Sequence, residues 1–324
     1  MRAPAFWNHK HGTMAAPLTR ALLSPLSWLV IMAGRARQRR VIPTHVPVPV
    51  ICLGNVTLGG TGKTPLALAL ATHLQAAGQN PAFLSRGYGG KLRGPVLVEP
   101  SHHSARDVGD EALLLARCAP TVIAQDRVAG ARRLAAQGAS VIIMDDGFQN
   151  PHLAKDASLL VIDNNGFGNG RVFPAGPLRE PLGDALARAN AIIFMGGGEM
   201  KVETDLPVFR AALVNPKAPP QGPLLAFAGI GRPQKFFDAL RGGGADLVQE
   251  IAFDDHHPYS ATEIARLHSW AAGENATLIT TAKDYVRLPE PLREGIHAWP
   301  VEAHFKDADA LMTRLAPMLN EPNS

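Results

Sequence analysis

The chain has few cysteines and few aromatic residues, and each scarcity excludes a class of protein. Its 324 residues include two cysteines, Cys52 and Cys118, with no C-x-x-C spacing that could hold a metal or form a redox pair. Two isolated cysteines suit a reducing compartment and exclude a small disulfide-stapled scaffold. Aromatic residues make up 6% of the chain, and none is interleaved with the N-terminal arginines, as stacking on single-stranded nucleic acid would require. We therefore expect no nucleic-acid partner.

The apolar segment near the start of the chain is too short to predict a transmembrane helix. Residues 21–34 form this segment, and four arginines follow it directly: Arg35, Arg37, Arg39 and Arg40. Fourteen residues of helix reach about 21 Å, short of the roughly 30 Å of hydrocarbon in a bilayer. No small-residue cleavage pattern follows, so a secretory signal is not expected. A buried core helix and an interfacial helix with its arginines on anionic lipid both remain open.

A glycine-rich segment at residues 48–64 carries the strongest functional signal. An apolar strand runs into glycines, and Lys63 and Thr64 begin a helix. Backbone N–H groups in such a turn and the positive end of the helix surround a β-phosphate, while the lysine reaches the β- and γ-phosphate oxygens. The threonine hydroxyl is offered to Mg²⁺. The predicted nucleotide-binding residues are Thr57, Leu58, Gly59, Gly60, Thr61, Gly62, Lys63 and Thr64.

This segment departs from the P-loop pattern at one position. Thr57 stands where G-x-x-x-x-G-K-[ST] has its first glycine. A glycine-rich hairpin with an incidental lysine is the alternative interpretation. The context favours the P-loop, because a buried strand precedes the glycines and strong helix formers follow at residues 65–77.

Strand and helix patterns alternate after this segment, as in the βαβ units of a parallel sheet. Strands are predicted at 80–85, 121–124, 140–144, 158–162 and 191–195, with helices at 110–118 and 129–137. A proline-rich linker at 215–223 precedes strands at 224–228 and 276–280 and helices at 233–240, 262–272 and 308–319. The prediction is a P-loop NTPase-like α/β fold with a mostly parallel sheet flanked by helices and a second, smaller α/β domain. Its divisions are an interfacial helical segment (1–40), the P-loop core (41–215) and the smaller domain (216–324).

Two further pairs of carboxylates occur at positions that are typical of enzymes acting on phosphates. Asp145 and Asp146 end an apolar strand in the manner of a Walker B element, which holds Mg²⁺ or its water. Neighbouring side chains on a strand point to opposite sides, so we expect one to serve the metal and the other a different group. Asp110 and Glu111 open a helix, where a carboxylate also serves as a cap. A solvated acidic turn and a simple cap are the respective alternatives.

A general base at Asp110 would need a partner, because a helix N-terminus lowers the pKa of a carboxylate. The run from Asp254 to His257, with sequence DDHH, contains histidines that titrate near neutrality and can pair with a carboxylate. The same run could be a metal cluster or an ordinary loop. Spacing alone does not choose between these interpretations.

Taken in order, the motifs resemble those of the tetraacyldisaccharide 4′-kinases, the lipid A kinases of Gram-negative bacteria. The resemblance runs nearly end to end and rests on FW at 6–7, GNVTLGGTGKTP at 54–65, SRGYGG at 85–90, VGDEALLLA at 108–116, DDGFQN at 145–150, FPAGPLREP at 173–181, AFAGIGRPQKFF at 226–237 and FDDHHPYS at 253–260. The loop of this family is similar to TxGGxGKT, which accommodates Thr57. Asn150 stands where relatives often have histidine, which puts any imidazole role there in doubt.

The resemblance implies that ATP and Mg²⁺ are used to phosphorylate the 4′-hydroxyl of a tetraacylated glucosamine disaccharide 1-phosphate. It also implies a peripheral or monotopic protein on the anionic cytoplasmic face of the bacterial inner membrane, and we expect no obligate protein partner. Asp110 is implied as the base, acting with His256. The catalytic set is Asp110, His256, Lys63, Asp146, Arg127 and Glu180, and the Mg²⁺ set is Thr64, Glu111 and Asp145. Arg86, Arg171 and Arg179 either contact the 1-phosphate of the substrate or are solvated.

Three rival interpretations come from other classes. A membrane-associated ATPase switch of the partitioning type also has a GG-x-GKT loop, but its second lysine is replaced here by Leu58. A GTPase is disfavoured because Lys283 and Asp284 do not reproduce the N-K-x-D spacing that reads guanine. The third is a soluble small-molecule kinase in which residues 21–34 are part of the core.

Overall fold

The computed structural model describes residues 4–9, 16–59, 62–164, 166–200 and 202–320. Its strands are β1 Val50–Gly54, β2 Pro81–Ser85, β3 Val96–Leu97, β4 Thr121–Ile123, β5 Val141–Asp145, β6 Ala157–Asp163, β7 Ala191–Met195, β8 Val208–Val214, β9 Pro223–Ala228, β10 Asp246–Ala252, β11 Thr277–Thr281, β12 Ile296–Trp299 and β13 Glu302–Phe305. Its α-helices are α1 Pro17–Arg40, α2 Lys63–Ala76, α3 Ala105–Val108, α4 Asp110–Leu115, α5 Arg127–Ala136, α6 Leu182–Leu186, α7 Pro233–Gly242, α8 Ala261–Gly273, α9 Ala282–Arg287 and α10 Ala308–Asn320. Short 3₁₀ turns lie at Ala5–Trp7 and Glu290–Leu292.

The larger sheet has nine strands in the order β13-β8-β7-β6-β1-β5-β2-β4-β3. The outer strands β3 and β13 run antiparallel to their neighbours, whereas the other pairs are parallel. Every residue of β1, β2, β5 and β7 is buried, as parallel strands covered on both faces should be. The predicted mostly parallel α/β fold is confirmed.

Strand β1 marks the place where a ligand is expected to bind. The chain builds the sheet on one side of β1 with β2 to β5 and then returns to its other side with β6. In open parallel sheets, ligands bind beyond the carboxyl ends of the strands at such a reversal. Leu53 lies opposite Asp145 in the register of β1 and β5. The loop that leaves β1 therefore starts beside the two carboxylates that end β5.

Helices cover both faces of this sheet. On one face, Leu66, Leu70 and Leu74 of α2 pack with Leu311 and Leu315 of α10 over the buried strands. On the other face, buried side chains of α5 and α6 share a second cluster with the strands, and one residue of α1 packs against its edge. Both helix layers bury apolar stripes, which is why the sheet interior carries almost continuous apolar sequence.

The second unit is a four-stranded parallel sheet in the order β10-β9-β11-β12. One face packs against α8 through Ile264 and Leu267. The other packs against α7 through Phe236, Phe237 and Leu240. The predicted smaller α/β unit is therefore present, built on the predicted strands at 224–228 and 276–280 together with two further strands.

The end of the chain returns to the larger sheet. Strand β13 pairs antiparallel with β8, and α10 packs on the α2 face of the nine-stranded sheet. The division at residue 216 thus assigned 302–320 to the smaller domain, whereas the structure places this segment with the first sheet. The sequence hides the return because β13 is an edge strand of four residues, and its pairing with β8 joins distant parts of the chain.

Helix α1 is longer and more exposed than its apolar segment suggested. Its 24 residues span about 36 Å, because the helix continues through the arginines. By length and composition α1 is a candidate membrane span, with a mean hydropathy of 1.2 over an 18-residue window. Only 6% of that window is buried. A single helix of this kind near the N-terminus is weak evidence for a membrane span. Leu18 and Leu22 are 80% and 79% exposed. This exposure excludes the buried core helix.

Candidate active site

The loop between β1 and α2, residues 55–62 and here called the glycine loop, ends where α2 begins at Lys63. Gly62 has a φ of 78°, a left-handed conformation that favours glycine. A Cβ at Gly62 would lie 3.2 Å from the Met195 side chain. Gly59 also has positive φ, 120°, whereas Gly60 and Thr61 lie outside the described residues. The backbone conformation therefore favours glycine at both described positions, Gly59 and Gly62.

The first half of the glycine loop is fastened to residues 177–179. Thr57 forms an isolated bridge with Leu178, and the Leu58 N–H donates to the Pro177 carbonyl at 2.8 Å. The Arg179 N–H donates to the Val56 carbonyl at 2.6 Å. A threonine at position 57 is therefore compatible with the loop, because its backbone is extended against a neighbouring segment.

The Lys63 ammonium contacts one residue of the glycine loop and the carboxylate that follows β5. Its Nζ donates to Asn55 Oδ1 at 3.0 Å and lies 3.4 Å from Asp146 Oδ1. Asn55 is fully buried, and its Nδ2 donates back to the Thr57 carbonyl at 2.9 Å. The sequence analysis missed Asn55, although a polar residue directly after a buried strand was a usable signal.

Asp145 and Asp146 have different surroundings, as expected, but not through alternation along a strand: β5 ends at Asp145, and Asp146 follows it with a φ of 52°. Asp145 is 2% exposed, and its Oδ1 has no hydrogen-bond partner among the described residues. Burial, and then the negative charge of Glu111, raise the pKa of Asp145 to about 7. Arg179 Nη1 donates to both carboxylate oxygens of Asp146 at 3.0 Å. Burial raises the pKa of Asp146, but Lys63 and Arg179 outweigh it and hold the pKa below its usual range.

The predicted Mg²⁺ ligands fit a cation. Within the described ranges, no group of three or more His, Cys, Asp or Glu residues forms a ready-made metal cage. Mg²⁺ is commonly held by one or two carboxylates together with substrate phosphates and water, so a cage is not needed. The buried, unpartnered oxygen of Asp145 is a ligand of this kind, and Thr64 is also buried, at 3% exposure. Glu111 is close enough to raise the pKa of Asp145.

Asp145→Asn is expected to stabilise the nucleotide-free protein at pH 8 by about 1–3 kcal/mol, because it replaces a buried, incompletely paired charge beside Glu111 with a neutral amide of the same shape. Because the folded pKa of about 7 exceeds the model value of 3.8, the folded state binds more protons between these values. Wild-type stability therefore rises as the pH falls through this window, and the gap to the variant narrows. Thermal unfolding from pH 8 to pH 5 measures it, with the exposed Asp205→Asn as the control. A variant less stable than wild type at pH 8 would contradict this account.

Asp110 and His256 come together across the two units, as the resemblance implied. Asp110 begins α4 and is 3% exposed, and its Oδ2 lies 3.2 Å from His256 Nδ1. Burial raises the pKa of Asp110, but the hydrogen bond from His256 and the charges of Arg287 and Lys283 outweigh it, so the pKa lies far below its usual range. The same hydrogen bond raises the pKa of His256. At neutral pH this pair holds a carboxylate beside an imidazole that gains a proton readily.

Two basic residues of α9 bind Asp110 and its neighbour Glu111, and the sequence analysis did not predict them. Lys283 Nζ donates to Glu111 Oε1 at 2.5 Å. Arg287 Nε donates to Asp110 Oδ2 at 2.7 Å, and Arg287 Nη2 contacts the same oxygen. Residues four apart lie on one face of a helix, so this spacing matches the adjacent acids at 110 and 111. The spacing of Lys283 and Arg287 indicates these contacts only once α9 is known to face α4.

Arg127 and Glu180 lie in separate networks. Arg127 is 4% exposed and its Nε has no partner among the described residues; burial, and then the charge of Arg86, lower its pKa to about 10. Glu180 pairs with Arg188 at 2.6 Å and accepts from Gln149 Nε2 at 3.0 Å. Gln149 Nε2 also donates to the Asn55 carbonyl at 3.0 Å. Glu180 is thus joined to the glycine loop through Gln149.

The remaining candidates differ in their surroundings. Arg179 is bound to Asp146 and is not a freely solvated arginine. Arg171 Nη1 donates to Ser24 Oγ of α1 at 3.2 Å, and Arg86 is exposed. Asn150 Oδ1 accepts from the backbone of residues 152 and 153 at 3.0 and 3.1 Å. Asn150 therefore caps a turn, a task that needs no imidazole.

These features define a class of protein. A buried strand, a glycine loop, a lysine at the start of the next helix and a carboxylate at the end of the adjacent strand are typical of P-loop phosphotransferases. A family model described as Tetraacyldisaccharide-1-P 4'-kinase matches residues 19–320. The chain therefore belongs to the tetraacyldisaccharide 4′-kinase family, as the order of the motifs predicted.

Individual relatives agree with the family. The chain is 50% identical to the tetraacyldisaccharide 4'-kinase of Hyphomonas neptunium, over 98% of each chain. It is 50% identical to that of Rhodospirillum centenum, over 99% of this chain and 97% of the relative. Its fold is similar to a crystal structure of LpxK from Aquifex aeolicus in complex with ATP, with a TM-score of 0.77, 28% identity and coverage of 93% and 99%. The partitioning-type ATPase is not favoured by any of these matches.

Proposed function

We propose that the chain transfers the γ-phosphoryl group of ATP to the 4′-hydroxyl of a tetraacyldisaccharide 1-phosphate, a step of lipid A biosynthesis. Membership of the family over residues 19–320 supports the reaction. One observation of geometry carries the chemistry: Asp110 Oδ2 lies 3.2 Å from His256 Nδ1, and the adjacent Glu111 is bound by Lys283 from the helix whose Arg287 binds Asp110. A candidate base and a candidate metal carboxylate therefore share one site beyond the carboxyl end of the sheet.

Phosphoryl transfer needs mainly positioning and charge neutralisation. Lys63 and the glycine loop bind the β- and γ-phosphates, and Asp146 and Asn55 hold Lys63 in place beforehand. Thr64, Asp145 and Glu111 would hold Mg²⁺, which would supply positive charge to neutralise the phosphates. The residues that bind the donor thus lie at the end of β1, the start of α2 and the end of β5.

Asp110 takes the proton of the 4′-hydroxyl while the hydroxyl oxygen bonds to the γ-phosphorus and the bond to ADP breaks. A carboxylate of such low pKa is a weak base. A loose transition state develops little need for a strong one, since the proton leaves the hydroxyl late. His256 donates its Nδ1–H to Asp110 Oδ2 and stabilises the carboxylate, and the proton taken up by Asp110 is released to water after the transfer. The pair therefore both orients the hydroxyl and accepts its proton.

The other charged residues fix the frame of the site. Asp146 holds Arg179 and Lys63 together, and Glu180 orders Gln149 beneath the glycine loop. Arg127, with a buried and unpartnered Nε, offers a donor to an anion. Arg86 and Arg171 serve as contacts for the 1-phosphate of the acceptor, because both lie outside the ion pairs of the described residues.

Helix α1 binds the anionic cytoplasmic face of the inner membrane, which brings the active site to a lipid acceptor. Its exposed leucines recur at helical spacing on one face: Leu18, Leu22, Leu26 and Leu29. Arginines follow at the C-terminal end of the helix, where anionic headgroups attract them. Phe173, 45% exposed, adds an apolar side chain on the segment to which Ser27 of α1 is hydrogen-bonded through the Val172 carbonyl at 2.8 Å.

The double variant Leu22→Glu/Leu29→Glu is expected to lose binding to vesicles that contain phosphatidylglycerol. Two carboxylates on the apolar face oppose both burial and the negative lipid surface. Flotation of the purified protein measures the loss. Val248→Glu, at a 41% exposed position of β10, is the matched control and should float like wild type. Equal flotation of wild type and the double variant would remove α1 from membrane binding.

ATP turnover measured as ADP release tests the kinase against its rival. We expect release to depend on added tetraacyldisaccharide 1-phosphate, because the acceptor hydroxyl is the nucleophile. ADP release at the same rate without the disaccharide would favour an ATPase switch and contradict the proposed function.

A further inference from the structure

Arg287 connects the smaller unit to the candidate base. It ends α9, and its guanidinium reaches Asp110 Oδ2 through both Nε, at 2.7 Å, and Nη2. The two side chains are 5% and 3% exposed. A charge-assisted pair that is this well shielded is held much more firmly than a surface ion pair.

The guanidinium is itself fixed from behind. Arg287 Nη1 donates to Asp284 Oδ1 at 2.8 Å and to the Gly229 carbonyl at 2.5 Å. Asp284 is fully buried; its Oδ1 also accepts from Tyr259 Oη at 2.8 Å, and its Oδ2 accepts from Thr281 Oγ1 at 2.6 Å. The Asp284 and Gly229 oxygens that bind Arg287 from behind both belong to the smaller unit, and Asp284 is itself fixed by Tyr259 and Thr281. Arg287 cannot turn away from Asp110 without breaking this network.

The Gly229 carbonyl also receives the backbone of His256. The His256 N–H donates to it at 3.0 Å, so one carbonyl places both groups that contact Asp110. Gly229 has no room for a side chain, because a Cβ there would lie 3.0 Å from Tyr259 Oη and 3.0 Å from the Asp254 carbonyl. The relative position of Arg287 and His256 is therefore set by the end of β9.

The two oxygens of Asp110 are used unequally. Oδ2 receives Arg287 twice and His256 Nδ1. Oδ1 accepts the Glu111 N–H at 2.9 Å. A carboxylate oxygen accepts about two hydrogen bonds, so Oδ2 is saturated and Oδ1 retains a lone pair.

We propose that Arg287 is a positioning residue for the kinase: by occupying Oδ2 of Asp110 it directs Oδ1 toward the acceptor hydroxyl. The inference rests on the proposed function. Lysine is a poor substitute, since one ammonium cannot reproduce the planar fork that reaches Asp110, Asp284 and Gly229 together. The neighbouring Lys283 does not replace it either, because Lys283 is bound to Glu111.

Steady-state kinetics of Arg287→Ala and Arg287→Lys test this assignment. We expect kcat to fall about 10- to 100-fold in Arg287→Ala, less than the roughly 10²–10⁴-fold for removing a general base because Asp110 is still present, and to fall less in Arg287→Lys. The KM for ATP should stay within about threefold, because no contact joins Arg287 to the glycine loop among the described residues. Guanidinium ion, at concentrations that leave the protein folded, should raise the kcat of Arg287→Ala about tenfold, since it can occupy the emptied space beside Asp110. Arg241→Ala, which breaks the ion pairs with Asp238 of α7 and Glu250 of β10 away from Asp110, is the control and should neither lose activity nor respond.

The outcomes separate the two proposals. An active wild type with an equally active Arg287→Ala overturns the positioning assignment alone. A loss of kcat that neither lysine nor guanidinium relieves also overturns it, and assigns Arg287 a purely structural role. A wild type that transfers no phosphate to the disaccharide overturns the proposed function, and the positioning assignment with it.

Discussion

Lys63→Ala is expected to lower kcat by about 10²–10³-fold, the cost of removing one donor aimed at charge that develops in a transition state. The affinity for ATP should fall as well, because the ammonium binds the β- and γ-phosphates in the ground state too. Lys63 Nζ lies 3.0 Å from Asn55 Oδ1 and 3.4 Å from Asp146 Oδ1. It is held where the phosphates are expected to bind.

The measurement compares kcat and the ATP dissociation constant of Lys63→Ala with those of Lys306→Ala, an exposed lysine after β13. Lys306→Ala should match wild type in both. Lys63→Ala should remain folded, because among the described residues the Lys63 ammonium contacts the polar side chains of Asn55 and Asp146. Turnover of folded Lys63→Ala at the wild-type rate would remove Lys63 from catalysis.

Asp110→Asn is expected to lower kcat by about 10²–10⁴-fold, the range for a general base, with little change in ATP affinity. Asparagine keeps the shape and can still accept from Arg287, but it cannot take the proton of the acceptor hydroxyl. Steady-state kinetics with the lipid acceptor measure the split between kcat and the KM for ATP. Asp238→Asn, on the exposed side of α7, serves as the control, and near-normal turnover of Asp110→Asn would exclude Asp110 as the base.

The same variant carries a signature in stability. The pKa of Asp110 in the folded state lies far below the model value of 3.8. A carboxylate with a depressed folded pKa stabilises the protein above the unfolded pKa, and this stability is lost as the pH falls through that value toward the folded pKa. Wild type should therefore exceed Asp110→Asn in thermal stability near pH 7, and the difference should shrink as the pH falls below about 4.

Local patterns predicted the elements of the larger sheet well. The strand expected at 191–195 is β7, Ala191–Met195, and the helix expected at 65–77 is α2, Lys63–Ala76. Both are continuous apolar segments with clear ends, which is where periodicity is informative. Strand β10 was missed, because its residues are mostly exposed or half-buried and its sequence lacks a strong apolar face.

Long-range pairing lay beyond the sequence. Nothing local in 302–305 shows that this strand joins β8 in the larger sheet. The same limit applies to Arg287 and Lys283, which become meaningful only when α9 is placed against α4. The residues alone suggested Asp110 and the DDHH histidines as candidates, but the pairing of Asp110 with His256 was chosen only through the resemblance to the family, since spacing alone left DDHH open.

Some of the chemistry could be reasoned from residues alone. Alternation along a strand predicted that Asp145 and Asp146 would serve different groups; the structure gives them different surroundings, although β5 ends at Asp145 and alternation is not the cause. Which of the two keeps a free oxygen depends on the Arg179 side chain, 3.0 Å from Asp146. No local pattern connects position 179 to position 146, so this assignment required the fold.

The fate of the γ-phosphate tests the central claim most directly. Wild-type protein is incubated with γ-labelled ATP, Mg²⁺ and a tetraacyldisaccharide 1-phosphate, and the lipid and aqueous phases are separated. We predict that label enters the lipid as a second phosphate at the 4′ position and that Lys63→Ala abolishes this transfer. Label found only as free inorganic phosphate, with the disaccharide unchanged, would contradict the account.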